Sequence, residues 1–327
     1  MRLSLASLAL LAPAALSIPL SDDLDDTPLP LVIWHGLGDS FAGDGIKEVG
    51  ELAEAIHDGT FVYTIGIGAD ANADRSASFW GNVTEQIAEV CAALAAHPIL
   101  STAPAIDALG FSQGGVFLRG YVERCNVPPV RSLVTFGSPH NGIVDFAACG
   151  PNDWVCKGAM ALLKTNTWSN YVQARLVPAQ YYRNTDPETG GPSEEYLEHS
   201  NFLADINNER VLKNTSYAGN LRKLKNFVMY MFEDDTTVSP KESSWFADVN
   251  LTDASVTPLR ERNIYKQDWL GLKTLDKNGG IVFKTTPGKH MELSDKVLNS
   301  TFKSFFGPFK SKAERKLIVQ NQINFEL

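Results

Sequence analysis

The 327-residue chain is 44% hydrophobic and 20% charged, as ordinary globular proteins are, and its length permits one large or two small domains. Its formal net charge of −9 argues against nucleic acid as a partner, because phosphate binding needs a basic face. The sequence has no metal-ligand spacing, no dinucleotide-binding glycine pattern and no phosphate loop, so we expect neither a metal nor another cofactor.

The first 17 residues are typical of a secretory signal peptide. Arg2 precedes an apolar run at residues 3–16, and the small residues Ala15 and Ser17 stand near the expected cleavage point. The run is too short for a transmembrane anchor, which needs about 20 apolar residues. We therefore expect residues 18–327 to enter the secretory pathway as a single domain without a membrane anchor.

Cysteines and glycosylation sequons agree with that destination. Four cysteines allow three pairings, which the sequence alone does not separate. We favour Cys91–Cys125, which would join the ends of two helices, and Cys149–Cys156, which would close a short loop. Asn-x-Ser/Thr sequons predict N-glycosylation in surface loops at Asn82, Asn214, Asn250 and Asn299.

Strand and helix patterns alternate through the first half of the mature chain. The predicted strands are 31–34, 60–67, 105–109 and 130–136, and the predicted helices are 46–57, 79–96 and 116–125. Such alternation predicts a mainly parallel, doubly wound α/β sheet with right-handed crossovers. Active-site loops are then expected at the carboxyl ends of the strands.

The alternation pauses between about residues 144 and 224, where aromatic residues are frequent and no strong strand is predicted. We interpret this segment as a largely helical cap insertion that lines an apolar groove, because it is too long for a plain connection. The alternative is that its aromatic residues only pack the segment onto the sheet. The later predicted elements are strands at 227–232 and 280–284, a short extended segment at 263–265, a helix at 295–305 and a loosely patterned tail at about 310–327.

A Gly-x-Ser-x-Gly pattern centred on Ser112 connects a predicted strand to a predicted helix. Glycines at 110 and 114 suit a serine on a sharp strand-to-helix turn, where bulkier side chains would clash. Such a turn exposes the serine hydroxyl and directs the amides of the following helix at developing negative charge. Ser112 is therefore the candidate nucleophile.

A serine nucleophile needs a base and an orienting carboxylate, which in this fold follow it in the order acid, then histidine. Of six histidines, only His290 lies between the last predicted strand and the last helix, so we choose it as the base. The alternative is that His290 is an ordinary surface histidine. Three acidic residues at 233–235 follow the preceding strand. We choose Asp235, because Val238 completes the Asp-x-x-Val continuation usual after the acid, and Asp234 is the alternative.

An oxyanion hole needs two backbone N–H donors. One is expected at Gln113, directly after the nucleophile, and the other at Leu37 in the loop after the first strand. Gly36 and Gly38 flank Leu37 and permit a close approach. We interpret the histidines at 35 and 140 as structural residues.

These residues lie in blocks that resemble the palmitoyl-protein thioesterase family of the α/β-hydrolase superfamily over most of residues 29–308. The blocks include HGLGDS at 35–40, GFSQGGVFLRGYVERC at 110–125, GSPHNG at 137–142, FLADINNER at 202–210 and GKHMELS at 288–294. The resemblance implies an α/β-hydrolase fold and a lysosome-like destination. It also implies the same nucleophile, acid, base, oxyanion amides and two cysteine pairs as those chosen above.

We therefore expect a monomeric serine hydrolase of the lysosome or vacuole, or a secreted one. It would remove palmitoyl or other long-chain acyl groups from S-acylated cysteines of proteins or peptides, or cleave palmitoyl-CoA, through an acyl-enzyme. The alternatives are a secreted oxygen-ester lipase with the same triad and a non-catalytic acyl-binding protein.

Overall fold

A parallel β-sheet of six strands lies at the centre of the computed structural model, which describes residues 27–145, 152–186 and 190–309. The strands are β1 (Leu31–Trp34), β2 (Val62–Thr64), β3 (Ile106–Phe111), β4 (Val130–Phe136), β5 (Asn226–Phe232), β6 (Asp248–Val249), β7 (Val256–Thr257) and β8 (Ile281–Thr286). The sheet has the order β2-β1-β3-β4-β5-β8 with every neighbouring pair parallel, and β6 and β7 form a separate antiparallel pair. The predicted mainly parallel α/β sheet is confirmed.

Helices connect the strands and cover the sheet. They are α1 (Asp44–Ile56), α2 (Ala71–Ala77), α3 (Val83–Ala96), α4 (Gln113–Arg124), α5 (Trp154–Asn166), α6 (Asn170–Arg175), α7 (Glu194–His199), α8 (Leu203–Ile206), α9 (Thr215–Leu221), α10 (Asn263–Lys266), α11 (Leu272–Lys277) and α12 (Asp295–Phe305). Within the described ranges, none of these helices combines the length and the apolar character needed to cross a membrane.

Alternate residues of each central strand enter two separate cores. Leu31 and Ile33 of β1 pack in a core with residues of α1 and α12, whereas Val32 and Trp34 pack in a core with residues of α3 and α4. Side chains of a strand alternate between the faces of the sheet, so a strand covered on both faces needs a continuous apolar run. The unbroken run of β1 follows from this double coverage.

Three predicted elements differ from the observed ones. The strand predicted at 60–67 is limited to β2, and the helix predicted from residue 79 begins at Val83, because Asn82 caps it by accepting from the Thr84 N–H at 3.0 Å. The extended segment predicted at 263–265 is wrong, because these residues form α10. An extended segment needs a neighbouring strand for its backbone groups, whereas the helical turn satisfies them internally.

The segment predicted as a cap insertion, residues 144–224, contains α5 to α9 in its described part, and these described residues contribute no strand to either sheet. It contacts the rest of the chain through isolated bridges such as Trp80–Leu176 and Ile143–Tyr182. The predicted signal peptide, Cys149 and the tail at 310–327 lie outside the described residues.

The Cys91–Cys125 disulfide is present, and it joins α3 to the residue that follows α4, with the two Cα atoms 6.1 Å apart. The other favoured pair, Cys149–Cys156, stays a prediction because Cys149 is not among the described residues.

The four sequon asparagines have different local structures. Asn82 and Asn214 cap the N-termini of α3 and α9, and Asn250 lies in the loop after β6. The expectation of a loop is wrong for Asn299, which lies within α12 and donates its side-chain N–H to the Asp295 carbonyl at 2.8 Å. A sequon specifies three residues and no backbone conformation, so it does not interrupt the helix.

Candidate active site

Ser112 lies on the sharp turn between β3 and α4. Its φ of 51° and ψ of −124° place a non-glycine residue at positive φ, a strained conformation found at functional sites. The Ser112 N–H donates to the Phe136 carbonyl at 2.8 Å, and the Ser112 carbonyl accepts from the Gly115 N–H at 3.1 Å. These bonds hold the turn at the carboxyl end of the sheet, with the serine side chain directed away from the strand.

The two glycines of the Gly-x-Ser-x-Gly pattern are required by close packing. A Cβ atom at Gly110 would lie 2.3 Å from the Gly115 Cα, and one at Gly114 would lie 2.4 Å from the Trp34 carbonyl oxygen. Neither distance is possible for real atoms, so both side chains must be absent for α4 to leave β3 at this angle. The predicted steric reason for these glycines is confirmed.

His290 lies in the loop between β8 and α12, and its ring reaches Ser112. The Nε2 atom of His290 is 3.0 Å from the Ser112 Oγ, within hydrogen-bond distance. Gly137 permits this position, because a Cβ atom there would lie 3.0 Å from the His290 Cε1. The other five histidines have no such contact with Ser112 among the described residues.

Asp235 follows β5 and holds the other ring nitrogen of His290. Its Oδ2 lies 2.7 Å from the His290 Nδ1, and its Oδ1 accepts from the backbone N–H groups of Thr237 and Val238 at 2.8 and 3.0 Å. An ionised carboxylate only accepts hydrogen bonds, so the ring proton lies on Nδ1 and Nε2 is left to accept from the serine hydroxyl. Asp234, the alternative acid, is exposed.

The loop after β1 passes directly against the Ser112 turn. A Cβ atom at Gly36 would lie 3.2 Å from the Ser112 Cβ, so the backbone of Leu37 comes close to the serine. Gln113 begins α4, and its buried side chain donates to the Ser78 carbonyl at 3.2 Å and accepts from the Tyr181 hydroxyl at 3.1 Å. The structure therefore brings the two predicted oxyanion donors beside the predicted nucleophile.

Helix α2 and the residue after it hold this loop, a role that sequence reasoning missed. The Gly38 N–H donates to the Ser78 Oγ at 2.9 Å, and the Gly38 carbonyl accepts from the Arg75 Nε at 2.9 Å. Asp74 accepts from the Phe41 N–H at 2.7 Å. The seven residues of α2, ANADRSA, have no apolar period. The only local signal for this helix was Asp70, an aspartate suited to capping its N-terminus.

A cavity of about 1090 Å³ opens beside Ser112 and His290. Much of its wall is apolar and comes from α1, from α12 and from the cap insertion. Side chains that represent these surfaces are Ile46, Val49, Leu52, Met160 and Leu298, and Phe79 from the segment between α2 and α3 also lines the cavity. Ser112 and His290 therefore lie in the wall of a space that suits a long apolar ligand.

A buried polar network supports the site from the side of the cap insertion. His140 in the GSPHNG block is fully buried, and its Nε2 contacts the Thr135 Oγ1 at 3.0 Å. Burial, assisted by the Arg119 charge, lowers the pKa of His140 well below its usual range, so this histidine stays neutral. Arg119 in turn donates to the His140 carbonyl at 3.1 Å and to the Asn207 Oδ1 at 2.8 Å.

The FLADINNER block, for which the sequence offered no chemical reason, supplies this network. Besides Asn207 it contributes Glu209, which accepts from Arg183 at 2.9 Å and from the Tyr196 hydroxyl at 2.6 Å. The partners are distant in sequence, and no local periodicity could have identified them.

A parallel α/β sheet with a serine at the turn after β3, an acid after β5 and a histidine after β8 is the arrangement of the α/β-hydrolases. Within that class, the chain belongs to the palmitoyl-protein thioesterase family. The family model described as palmitoyl protein thioesterase matches residues 30–290.

Individual relatives agree with this assignment. The chain is 36% identical over 281 residues to palmitoyl-protein thioesterase 1 of Caenorhabditis elegans, covering 85% of this chain and 92% of the relative. It is 33% identical over 287 residues to palmitoyl-protein thioesterase 3 of Dictyostelium discoideum, covering 86% and 92%. It is 28% identical over 264 residues to the lysosomal thioesterase PPT2 of Mus musculus, covering 77% and 78%.

Proposed function

We propose that this chain is a serine hydrolase that removes palmitoyl and other long-chain acyl groups from S-acylated cysteines of proteins or peptides. The observation that carries the proposal is the hydrogen-bonded series from Ser112 through His290 to Asp235 in the wall of the cavity. Family membership supports the thioester as the bond that is cleaved.

In the first half of the reaction, the Ser112 Oγ attacks the thioester carbonyl carbon and its proton passes to the His290 Nε2. Asp235 stabilises the imidazolium that forms. The carbonyl oxygen becomes negatively charged and accepts hydrogen bonds from the backbone N–H groups of Leu37 and Gln113. The carbon–sulfur bond then breaks, the sulfur takes the proton from His290 and leaves as the cysteine thiol, and the acyl group stays on Ser112.

In the second half, water attacks the acyl-enzyme and gives its proton to His290. The ester bond to Ser112 breaks, the serine recovers its proton and the fatty acid leaves. A thiolate departs without strong acid assistance, so the demand on His290 as an acid is lighter than in amide cleavage.

The cavity supports a long acyl chain as the preferred substrate. Each buried CH₂ contributes about 0.8 kcal/mol, so a chain that fills an apolar wall gains affinity with length. The cavity has a volume of about 1090 Å³, which is large enough for an acyl chain much longer than that of a short ester. S-palmitoylated peptides and palmitoyl-CoA are the substrates to test.

The decisive experiment compares wild type with Ser112→Ala on an S-palmitoyl-cysteine peptide and on the matching O-palmitoyl-serine peptide. Ser101→Ala, which changes an exposed serine, is the control. We expect the Ser112 substitution to lower kcat on the thioester by about 10⁴-fold or more, and the control to leave it unchanged. Full activity of the Ser112→Ala variant would contradict the mechanism. Cleavage of the oxygen ester alone would favour a lipase, and binding without turnover by wild type would favour an acyl-binding protein.

The acid is tested by a neighbouring pair of variants. Asp235→Asn removes the charge that orients His290, so we expect kcat to fall by about 10³- to 10⁴-fold. Asp234→Asn changes an exposed carboxylate on the next residue and should leave kcat within about twofold. Equal losses in both variants, or a loss only at Asp234, would contradict the assignment of the acid.

We also propose that the protein is made in the secretory pathway and works in the lysosome or vacuole, or outside the cell. The apolar segment at residues 3–16, the four sequons and the Cys91–Cys125 disulfide support this route. A relative named as a lysosomal thioesterase supports the destination. Intact mass before and after enzymatic deglycosylation, together with N-terminal sequencing, tests both the modification and the cleavage near Ser17.

A further inference from the structure

Both ring nitrogens of His35 face acceptor atoms inside the protein. The Nδ1 lies 2.9 Å from the Gly36 carbonyl oxygen, and the Nε2 makes an ion-pair contact of 2.9 Å with the Asp74 Oδ2. The His35 and Asp74 side chains are only 3% and 1% exposed. The Nδ1 contact has hydrogen-bond geometry, whereas the Nε2–Asp74 contact is a close charge contact without that geometry. A neutral imidazole carries one N–H and no charge, whereas the imidazolium directs an N–H at the Gly36 carbonyl and places a positive charge beside Asp74.

Asp74 is itself held as a carboxylate. It accepts from the backbone N–H groups of Phe41 and Ile67, each at 2.7 Å. Burial alone would raise the pKa of Asp74, but His35 and these amides outweigh it and the net shift is downward. The ion pair therefore joins a fixed anion on α2 to the loop that follows β1.

The Gly36 carbonyl contacted by His35 shares a peptide group with the Leu37 N–H. This peptide is trans, because the cis peptides of the described chain precede Pro128 and Pro240. In a planar trans peptide the carbonyl and the N–H point in opposite directions. The only other donor to the Gly36 carbonyl in the described residues is the Asp39 N–H, at a longer 3.4 Å. The His35 contact therefore sets the direction of the Leu37 N–H.

We propose that His35 is a positioning residue for the oxyanion hole, and that its imidazolium form, paired with Asp74, keeps the Leu37 N–H directed at the reacting carbonyl. The inference rests on the proposed function, because it assigns Leu37 as an oxyanion donor. It adds a second histidine whose proton controls the reaction without contacting the substrate.

Loss of the His35 proton would disturb this geometry in a defined way. The remaining proton stays on Nε2, since Asp74 carries a full negative charge, and Nδ1 then presents a lone pair to the Gly36 carbonyl oxygen. Repulsion between these atoms releases the peptide from the orientation that oxyanion stabilisation requires.

The direction of the pH dependence follows from the charges near His35. Among the described residues these are Asp74 on α2 and Asp39 in the same loop. Burial alone would lower the pKa of His35, but its contacts with Asp74 and the Gly36 carbonyl outweigh burial and raise the pKa above 6.5. The active form therefore predominates at acidic pH, and kcat falls as the pH rises through the raised pKa.

Two isosteric variants separate the contacts of His35. An asparagine places its amide near the Nδ1 position and can still donate to the Gly36 carbonyl, whereas a glutamine places it near Nε2, facing Asp74. At about pH 5 we expect His35→Asn to keep kcat within a few-fold of wild type. His35→Gln should lower kcat by about tenfold or more with little change in KM, because the loss affects the transition state.

The pH profile distinguishes positioning from a merely structural role. Between about pH 5 and pH 9, wild-type kcat on the S-palmitoyl-cysteine peptide should decline at alkaline pH, and His35→Asn, which cannot titrate, should lack that decline. Thermal unfolding shows whether each variant is folded. The inference is overturned if His35→Gln retains the wild-type kcat and profile, or if His35→Asn retains the alkaline decline.

An NMR titration tests the charge state without any variant activity. In wild type labelled with ¹⁵N-histidine, the His35 signals, assigned by their loss in His35→Asn, should show a doubly protonated ring that titrates with the decline in kcat. A ring that is neutral at acidic pH contradicts the inference whatever kcat the variants have. If wild type cleaves only the oxygen ester, the proposed thioesterase function fails, and the same kcat profiles measured on that ester still decide the role of His35.

Discussion

Replacement of Glu209 by glutamine provides a direct measure of the buried network behind the site. The carboxylate is 3% exposed and lies between Arg183 and Arg262, with contacts of 2.9 and 3.3 Å, and it also accepts from the Tyr196 hydroxyl. Glu209→Gln keeps the shape but leaves two buried guanidinium groups with one carboxylate partner, Asp248. Removing one member of a buried ion pair costs about 3–5 kcal/mol.

The lower end of that range applies here. Asp248 still contacts Arg183 at 2.6 Å and Arg262 at 2.8 Å, so neither arginine is left without a partner. We therefore expect Glu209→Gln to lower the free energy of unfolding by about 3 kcal/mol. At about 2 °C per kcal/mol for a domain of this size, Tm should fall by about 6 °C.

Urea and thermal unfolding followed by circular dichroism measure this change. The matched control is Glu261→Gln, an exposed residue next to Arg262 in sequence, which should alter stability by less than about 0.5 kcal/mol. A Glu209→Gln variant as stable as this control would refute the reasoning. It would mean that Asp248 alone compensates both arginines.

The pH dependence of the difference adds a second check. Burial alone would raise the pKa of Glu209, but Arg183 and Arg262 outweigh it and hold the pKa below its ordinary value of 4.5. A carboxyl group with a lowered folded pKa stabilises the protein above its unfolded pKa, and this contribution is lost only as the pH falls through the folded value. The difference between wild type and Glu209→Gln should therefore persist at about pH 5.

Two further predictions concern α4. Burial raises the pKa of Glu123 to about 7 despite the Arg119 charge, so the folded state binds a proton that the unfolded state lacks, and stability should rise as the pH falls through 7. Urea unfolding at several pH values should show this slope reduced in Glu123→Gln by up to about 1.4 kcal/mol per pH unit, and parallel curves would contradict it. The Cys91–Cys125 disulfide closes a loop with a sequence separation of 34, so replacing both cysteines by serine should cost about 3–4 kcal/mol in the same assay, and an unchanged midpoint would exclude that role.

The parts of the site that were predictable are those encoded by local pattern. Strand runs such as β1 and β5 are continuous and apolar, and each is followed by the polar residues that enter the site. Because carboxyl ends of parallel strands meet at one edge, the order of Ser112, Asp235 and His290 along the chain was enough to predict their proximity. Val238, which guided the choice of acid, proved to donate its N–H to Asp235.

The parts that were not predictable depend on partners distant in sequence. Helix α2 is polar and short, and its importance lies in contacts with residues 35–41, more than 30 positions earlier. Glu209 and Arg183 belong to one ion-pair network with Asp248, although the chain separates Arg183 from Asp248 by 65 residues. Burial and pairing of this kind arise only when the chain is folded, so no window of sequence contains the signal.

Because the cap insertion lies between β4 and β5, the positions of Ser112, Asp235 and His290 and the shape of the cavity depend largely on different parts of the chain. The distances among Ser112, Asp235 and His290 are set by β3, β5, β8 and the turns that follow them. Residues of the insertion, such as Met160, instead form part of the cavity wall. Changes confined to the insertion residues that line the cavity can therefore alter which acyl chains fit, while the positions of Ser112, Asp235 and His290 stay the same.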